Sequence, residues 1–238
     1  MLIRFILLIF FFVFSAHSDD KKVNEKQIKN IIEEYILENP EIIIESLERF
    51  TTNQKKKEKT SFDNILNNFY DTKVYESLPR IGNQDGKIII IEFIDYNCGY
   101  CKKTLPTVAK LMKNFDNIQI VFIDYPILSE SSEIAARASL AAKEQNAYFE
   151  YHTVLLNNKE IIDESILYKI AKELSLDIKK FKKDISSERI KNNIIKNVKF
   201  ANSLKIRGTP TFIIGNQILP GAYDYEKLRK IILENHEG

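Results

Sequence analysis

Apolar and polar positions first alternate at helical spacing, over residues 23–60. The apolar members of this stripe are Ile28, Ile31, Ile32, Tyr35, Ile36, Ile43, Leu47 and Phe50. This spacing predicts two amphipathic helices, with a break at Asn39-Pro40-Glu41, because Asn favours the N-cap and Pro the first helical position. Asn24, followed three residues later by Gln27, predicts a capping box at the first helix start.

The next residues differ in composition. Residues 51–60 are polar and highly charged, and we expect a solvated helix end or hinge there, followed by a linker helix over 61–79. The stripe of residues 23–60 is too short to bury its own apolar face. We therefore hypothesise that residues 19–60 form a stalk through which copies of the chain associate. Packing of this stripe against the rest of the same chain is the other interpretation.

From residue 80 onwards the pattern predicts strands and helices in one domain. Residues 87–94 and 118–124 are apolar runs typical of strands covered on both faces, and a helix is expected between them over residues 98–113. A strand–helix–strand unit of this length predicts parallel pairing with a right-handed crossover. Residues 129–204 carry helical patterns only.

Strand patterns return near the C-terminus. Residues 211–214 and 217–219 are separated by Gly215-Asn216, which predicts a tight hairpin, and a closing helix is expected over residues 224–233. The order of elements predicts an α/β protein. We expect a thioredoxin fold over residues 80–238, with a helical insertion over about 129–204, preceded by an N-terminal helical oligomerisation segment.

The N-terminus predicts export. Arg4 precedes the ten-residue apolar run Phe5–Phe14, and the small residues Ala16 and Ser18 stand at positions −3 and −1 of a cut after Ser18. This arrangement predicts a signal peptide over residues 1–18, cleaved after about Ser18. Ten residues span only about 15 Å as a helix, about half of a bilayer core. An uncleaved membrane anchor is the alternative interpretation.

The charge of the chain argues against one class of partner. Thirty-five Lys and Arg residues nearly balance 33 Asp and Glu residues, for a formal net charge of +2. A protein that binds nucleic acid through its phosphates carries a basic excess. We therefore expect no nucleic-acid partner.

The chain's only two cysteines are Cys98 and Cys101, separated by Gly99 and Tyr100. A disulfide that closes so short a loop constrains the unfolded chain very little, so a structural staple explains the pair poorly. A C-x-x-C motif between a strand and a helix predicts redox chemistry. We expect Cys98 to attack, Cys101 to resolve the mixed disulfide, and the dipeptide between them to tune the potential.

Other residues are candidates for supporting roles. Glu92 interrupts an apolar strand, and a proton relay beneath Cys101 is the functional interpretation; exposure at a sheet edge is the other. Thr209-Pro210 precedes the hairpin, but only about 5–6% of X-Pro bonds are cis, so the isomer stays open. His152 and His236 have no partner motif and are expected at the surface or an interface.

At this point two segments carry a resemblance. Residues 92–101 resemble the active-site strand and helix of the DsbA family of periplasmic disulfide oxidoreductases, and residues 208–211 resemble that family's cis-proline loop. The resemblance implies that Pro210 is cis, that Thr209 and Pro210 receive substrate peptide beside Cys98, and that Glu92 is the family's buried glutamate.

Two further resemblances concern the role within that family. Residues 35–45 resemble the stalk of ScsC proteins, some of which trimerise. The Gly99-Tyr100 dipeptide and Thr209 resemble the disulfide isomerase DsbC, whereas DsbA itself has Pro-His between its cysteines and no stalk. These features leave oxidase, isomerase and reductase roles open.

The sequence therefore predicts a periplasmic thiol:disulfide oxidoreductase. Its expected partners are cysteine-containing exported proteins, a membrane redox protein of the DsbB or DsbD type, and further copies of the chain through residues 23–60. Beyond the redox pair Cys98–Cys101 we expect no cofactor and no metal. The alternatives are a trimeric isomerase or reductase, a copper-binding protein using Cys98, Cys101 and a histidine, or a structural surface protein.

Overall fold

A computed structural model of the chain describes residues 24–236, with the side chains of residues 73, 74 and 236 excepted. The predicted signal peptide, residues 1–18, lies outside the described residues. The chain divides into two units, residues 1–55 (unit 1) and residues 56–238 (unit 2).

The described residues form the following helices and strands. The helices are α1 (Glu25–Glu38), α2 (Glu41–Tyr70), α3 (Lys73–Glu76), α4 (Gly99–Asn114), α5 (Glu130–Lys143), α6 (Tyr148–Asn157), α7 (Glu164–Glu173), α8 (Ile178–Ile185), α9 (Glu188–Ser203) and α10 (Tyr225–His236). The strands are β1 (Arg80–Gly82), β2 (Ile88–Ile94), β3 (Ile118–Asp124), β4 (Thr211–Ile214) and β5 (Gln217–Pro220). Within residues 24–236, no helix combines the length and apolar character needed to cross a bilayer.

Unit 1 contains α1 and the first half of α2. The predicted capping box is present, because the Asn24 side chain accepts from the backbone of α1 while the Gln27 side chain accepts from the Asn24 N–H. The predicted break at Asn39-Pro40-Glu41 is confirmed. None of the side chains described in unit 1 is buried.

The predicted helix end within residues 51–60 is wrong. Helix α2 continues without a break to Tyr70, since residues 41–70 contain no glycine or proline and a polar composition alone does not end a helix. The end of α2, where the sequence predicts a linker helix, also contributes side chains to the core of unit 2. Leu66 and Phe69 are buried in unit 2, and the Phe69 ring stacks on Phe200 of α9 at 3.7 Å between centroids.

Unit 2 is built on a five-stranded sheet in the order β1-β3-β2-β4-β5. Strands β2 and β3 are parallel, as the strand–helix–strand pattern predicts, and the other neighbours are antiparallel. Strand β1 was not predicted, because three residues at a sheet edge are too few to show a period. The predicted hairpin between β4 and β5 is confirmed, with Gly215 at φ +57° in its turn.

The two faces of the sheet are covered by different helices. Ile90 and Ile94 of β2 belong to a core cluster shared with α4 and the insertion helices. Ile91 and Phe93, on the opposite face, pack with the last turns of α2 and α9. Since side chains alternate along a strand, Glu92 points to the same face as Ile90 and Ile94, where α4 lies.

Candidate active site

The two cysteines lie where β2 passes into α4. Cys98 has extended backbone angles (φ −78°, ψ 112°) and is the N-cap residue of α4, so it precedes the first turn's unpaired N–H groups. Its N–H donates to the Asp95 carbonyl at 3.0 Å, and its carbonyl accepts from Lys102 at 3.2 Å. Cys101, inside the first turn, is fully buried, while Cys98 is 7% exposed.

A second segment meets Cys98 from the neighbouring strand. Strand β4 runs antiparallel to β2, with Thr211 opposite Phe93, and this pairing brings the start of β4 beside the end of β2. The Thr209-Pro210 bond is cis, as the family resemblance implied. The Cys98 thiol donates to the Thr209 carbonyl oxygen at 3.1 Å. Sequence alone left this isomer open because few X-Pro bonds are cis.

The two thiols have opposite proton affinities. The pKa of Cys98 is lowered to about 5, mainly because the Cys101 thiol bonds to its sulfur, with smaller contributions from the Thr209 side chain and from α4 backbone N–H groups, while partial burial acts against them. Burial raises the pKa of Cys101, and its bond to Cys98 raises it further. The site therefore favours a thiolate on Cys98 and a protonated Cys101.

Glu92 is buried on the same face of the sheet. Its side chain is 2% exposed, so the sheet-edge interpretation is wrong, and burial raises its pKa to about 7, partly offset by its bond with Thr104. The Thr104 hydroxyl lies 2.8 Å from Glu92 Oε1 and 2.8 Å from the Cys101 carbonyl oxygen. The Thr104 hydroxyl, which donates to Glu92, thus links this carboxyl to the main chain of Cys101.

The residues between the cysteines face outward. Tyr100 is 61% exposed, and the Lys103 ammonium lies 5.0 Å from the centre of its ring. A Cβ added to Gly99 would have no neighbour within 4 Å. The dipeptide therefore borders an open surface beside Cys98.

His152 corrects an expectation made from the sequence. It is 1% exposed rather than at the surface, its Nδ1 lies 3.1 Å from the Tyr96 hydroxyl, and burial lowers its pKa to about 3. The neighbouring Tyr148 hydroxyl donates to Asp124 at 3.1 Å, and burial raises the pKa of that carboxyl to about 7. Sequence reasoning missed this cluster, because its members lie on β3, on α6 and in the segment between β2 and α4 and share no spacing. The side chain of His236 lies outside the described part.

The copper-binding alternative requires several ligand side chains that meet at one point. Within residues 24–236, no three His, Cys, Asp or Glu side chains converge as ligands of one ion.

Family comparisons agree with the division into two units. The thioredoxin family model matches residues 75–234. The model of the copper resistance protein ScsC N-terminal domain matches residues 24–57.

Curated relatives match about two thirds of this chain. A probable disulfide bond formation protein D of Bacillus anthracis is 30% identical over 172 residues, which cover 66% of this chain and 78% of that protein. The sodium/proton antiporter NhaA 3 of Salinispora tropica is 27% identical over 154 residues, which cover 64% of this chain. This chain spans only 24% of the antiporter's length.

Two solved structures resemble the chain at 27% identity each. The thiol-disulfide exchange protein alpha-DsbA2 from Wolbachia pipientis superposes with a TM-score of 0.69, covering 76% of this chain and 97% of that one. The catalytic domain of Proteus mirabilis ScsC superposes with a TM-score of 0.68, covering 76% of this chain and 99% of that one.

Proposed function

The chain belongs to the thioredoxin-like family of thiol–disulfide oxidoreductases, and on that premise we propose that it forms or rearranges disulfide bonds in exported proteins of the periplasm. The contrast between the two thiols carries this proposal: the pKa of Cys98 is lowered to about 5 and that of Cys101 is raised. A stable Cys98 thiolate is a good leaving group, and it makes the reduced form favourable relative to the disulfide.

In the oxidising direction, a substrate thiolate attacks the sulfur of Cys98 in the Cys98–Cys101 disulfide. The bond between the two cysteines breaks, Cys101 leaves with the electron pair and takes a proton, and a mixed disulfide joins the substrate to Cys98. A second substrate thiolate then attacks the substrate sulfur of that bond and expels Cys98 as a thiolate. Two electrons have moved from the substrate dithiol to the cysteine pair.

We assign Glu92 the role of proton relay for Cys101. A carboxyl with its pKa near 7 exchanges protons readily near neutral pH, and Thr104 bonds to it and to the Cys101 carbonyl. Glu92 would supply the proton that Cys101 takes on leaving, and would recover it when the disulfide forms again.

The loop of Thr209 and Pro210 is the proposed contact for substrate peptide. The Thr209 carbonyl oxygen lies 3.1 Å from the Cys98 sulfur, so a peptide that reaches the sulfur also passes this backbone. Gly99 and Tyr100 border the same opening, and the exposed Tyr100 ring offers apolar contact. The expected substrates are cysteine-containing exported proteins with little fixed structure around the cysteine.

The direction of electron flow depends on a partner outside the chain. An oxidase requires a membrane protein of the DsbB type to take electrons, whereas an isomerase or reductase requires a donor of the DsbD type. The proposal that the protein is exported rests on the signal peptide predicted over residues 1–18. The solved structures that resemble this chain include the ScsC catalytic domain and alpha-DsbA2.

Unit 1 supports the isomerase as a second candidate. Its apolar side chains are exposed, and it matches the ScsC N-terminal domain model. We propose that copies of the chain associate through residues 23–60, which would hold several active sites around one substrate. The large exposed members are Ile28, Ile31, Ile32, Tyr35, Leu37, Ile42, Ile43, Ile44, Leu47 and Phe50.

The decisive measurement is the equilibrium reduction potential of the Cys98–Cys101 pair in the mature protein, poised against glutathione buffers. We expect a value of about −120 to −180 mV, in the range of oxidants and isomerases. A value near about −270 mV would instead assign a reductase fed by a membrane donor. Failure of the pair to form a reversible disulfide would overturn the proposal and favour metal binding.

A further inference from the structure

The loop between β2 and Cys98 is held by every one of its side chains. Asp95, Tyr96 and Asn97 make up this segment, which we call the catalytic loop. Asp95 and Tyr96 are each 1% exposed. Loops beside a nucleophile are commonly exposed and mobile, whereas the side chains of this loop are bound to neighbouring segments.

The Asp95 carboxylate joins two backbone segments. Its Oδ1 accepts from the Asn97 N–H at 2.8 Å, and its Oδ2 accepts from the N–H groups of Ile127 and Leu128 at 2.9 and 3.0 Å. Residues 127 and 128 belong to the connection between β3 and α5. A buried carboxylate that accepts three charge-assisted bonds ties these segments together strongly.

The backbone of Asp95 contacts both cysteines. Its carbonyl accepts from the Cys98 N–H at 3.0 Å, and its main chain also bonds to the Cys101 sulfur. Any displacement of Asp95 therefore moves the groups that surround the two thiols.

Asn97 provides a second attachment, to the start of α5. Its Nδ2 lies 2.9 to 3.0 Å from the hydroxyl oxygens of Ser129, Ser131 and Ser132. These hydroxyls also contact one another, with Ser129 lying 3.0 Å from Ser131 and 3.1 Å from Ser132. The residue immediately before Cys98 is thus bound to the first element of the helical insertion.

We propose that Asp95 and Asn97 are positioning residues for Cys98. By binding the connection at residues 127–128 and the start of α5, they hold the catalytic loop so that the Cys98 sulfur lies at the N-terminus of α4 and beside the Thr209 carbonyl. The helical insertion then acts on the reactive sulfur through these two side chains.

Asp95→Asn is the most direct test. The substituted amide keeps the size of the side chain but turns one acceptor oxygen into a donor, which faces an N–H group in either orientation. We expect the pH midpoint of Cys98 alkylation to rise by about one unit, because a displaced sulfur loses the N–H groups of α4, whereas loss of the Asp95 charge alone would lower the midpoint. At pH values below both midpoints, a rise of one unit lowers the alkylation rate about tenfold.

Asp177→Asn is the matched control. Asp177 is also an aspartate that accepts from a backbone N–H, that of Lys180 at 2.9 Å, at the start of α8. It is expected to lower the unfolding temperature while leaving the Cys98 midpoint in place. A folded Asp95→Asn protein with an unchanged midpoint would overturn the proposal, since the carboxylate would then act on stability alone.

If Asp95→Asn does not fold, Asn97→Ala tests the positioning role instead. It removes the attachment to α5 and leaves the Asp95 carboxylate intact, and we expect the midpoint to rise in the same direction. An unchanged midpoint in this variant would contradict the proposal. This inference rests on the proposed function in one respect, namely that Cys98 carries the reactive sulfur. Alkylation needs no substrate protein or redox partner. Its result is therefore independent of the measured reduction potential.

Discussion

Two buried carboxyls with raised pKa values distinguish unit 2 at the scale of single residues. Glu92 and Asp124 both have a pKa raised to about 7, chiefly because burial penalises their charged forms. Glu92 lies beside Thr104 of α4, whereas Asp124 accepts from Tyr148 of α6. The two groups titrate in the same range, so a variant of one is needed to separate their effects.

Glu92→Gln is expected to stabilise the reduced protein in a pH-dependent manner. A carboxyl whose pKa is higher in the folded than in the unfolded state contributes stability below the unfolded value of 4.5, and this contribution is lost as pH rises through about 7. The variant and the natural protein should therefore agree near pH 4, and the variant should be more stable by about 3 kcal/mol above pH 7.

Chemical denaturation across this pH range checks the expectation, with the exposed Glu173→Gln on α7 as control. The same variant should also slow disulfide exchange, since the amide carries no transferable proton. A stability difference that does not change with pH would mean that Glu92 does not titrate as described. An unchanged exchange rate would refute the relay.

Helix α2 shows at the scale of elements how one helix serves two environments. Up to Lys55 its described side chains are exposed, while Leu66 and Phe69 near its end are buried among residues of β2, β3 and α9. Phe69 also meets Tyr75 edge-on at 5.6 Å between centroids. The end of α2 is thus part of the core beneath the sheet.

Phe69→Ala is expected to destabilise unit 2 by about 3 to 5 kcal/mol, because it removes a stacked ring from a packed cluster and leaves a cavity. Phe50→Ala on the same helix is the control, since Phe50 is 60% exposed and its loss should change the free energy of unfolding of a single chain by less than about 0.5 kcal/mol. Denaturant unfolding of both variants measures the contrast. Equal losses in the free energy of unfolding of the two variants would contradict the finding that α2 is exposed up to Lys55 and buried near its end.

At the scale of the whole molecule, the exposed apolar face of unit 1 has a different meaning from scattered surface residues. Single exposed apolar side chains are ordinary, but a continuous series at helical spacing marks an interaction surface. The proposal that copies of the chain associate concerns this surface, which lies within the residues 24–57 that match the ScsC N-terminal domain model.

Light scattering of the full mature chain tests this association. We expect a multiple of the single-chain mass, and a return to the single-chain mass in the double variant Ile31→Asn and Leu47→Asn. Ile161→Asn is the control, because Ile161 is 87% exposed but belongs to unit 2. A single-chain mass for the natural sequence would refute association through unit 1.

The sequence by itself determined the elements whose signals are local. Helices α1 and α2, the strand pair around α4 and the hairpin follow from periodicity and turn residues, and the position of Cys98 and Cys101 at a strand–helix junction follows from the same pattern. The continuation of α2 through residues 51–60 could also have been seen, since no helix-breaking residue lies there. A charged stretch indicates a solvated helix surface and does not by itself end a helix.

Only the tertiary structure decided what depends on residues distant in the chain. The burial of His152 and the attachment of Asp95 and Asn97 to residues 127–132 arise where a loop meets the helical insertion. The lowered pKa of Cys98 likewise depends on Cys101, Thr209 and the N-terminus of α4 meeting at one point. Periodicity records which face of an element is covered, but not which polar group covers it, because hydrogen-bond partners are chosen by the packing of whole elements.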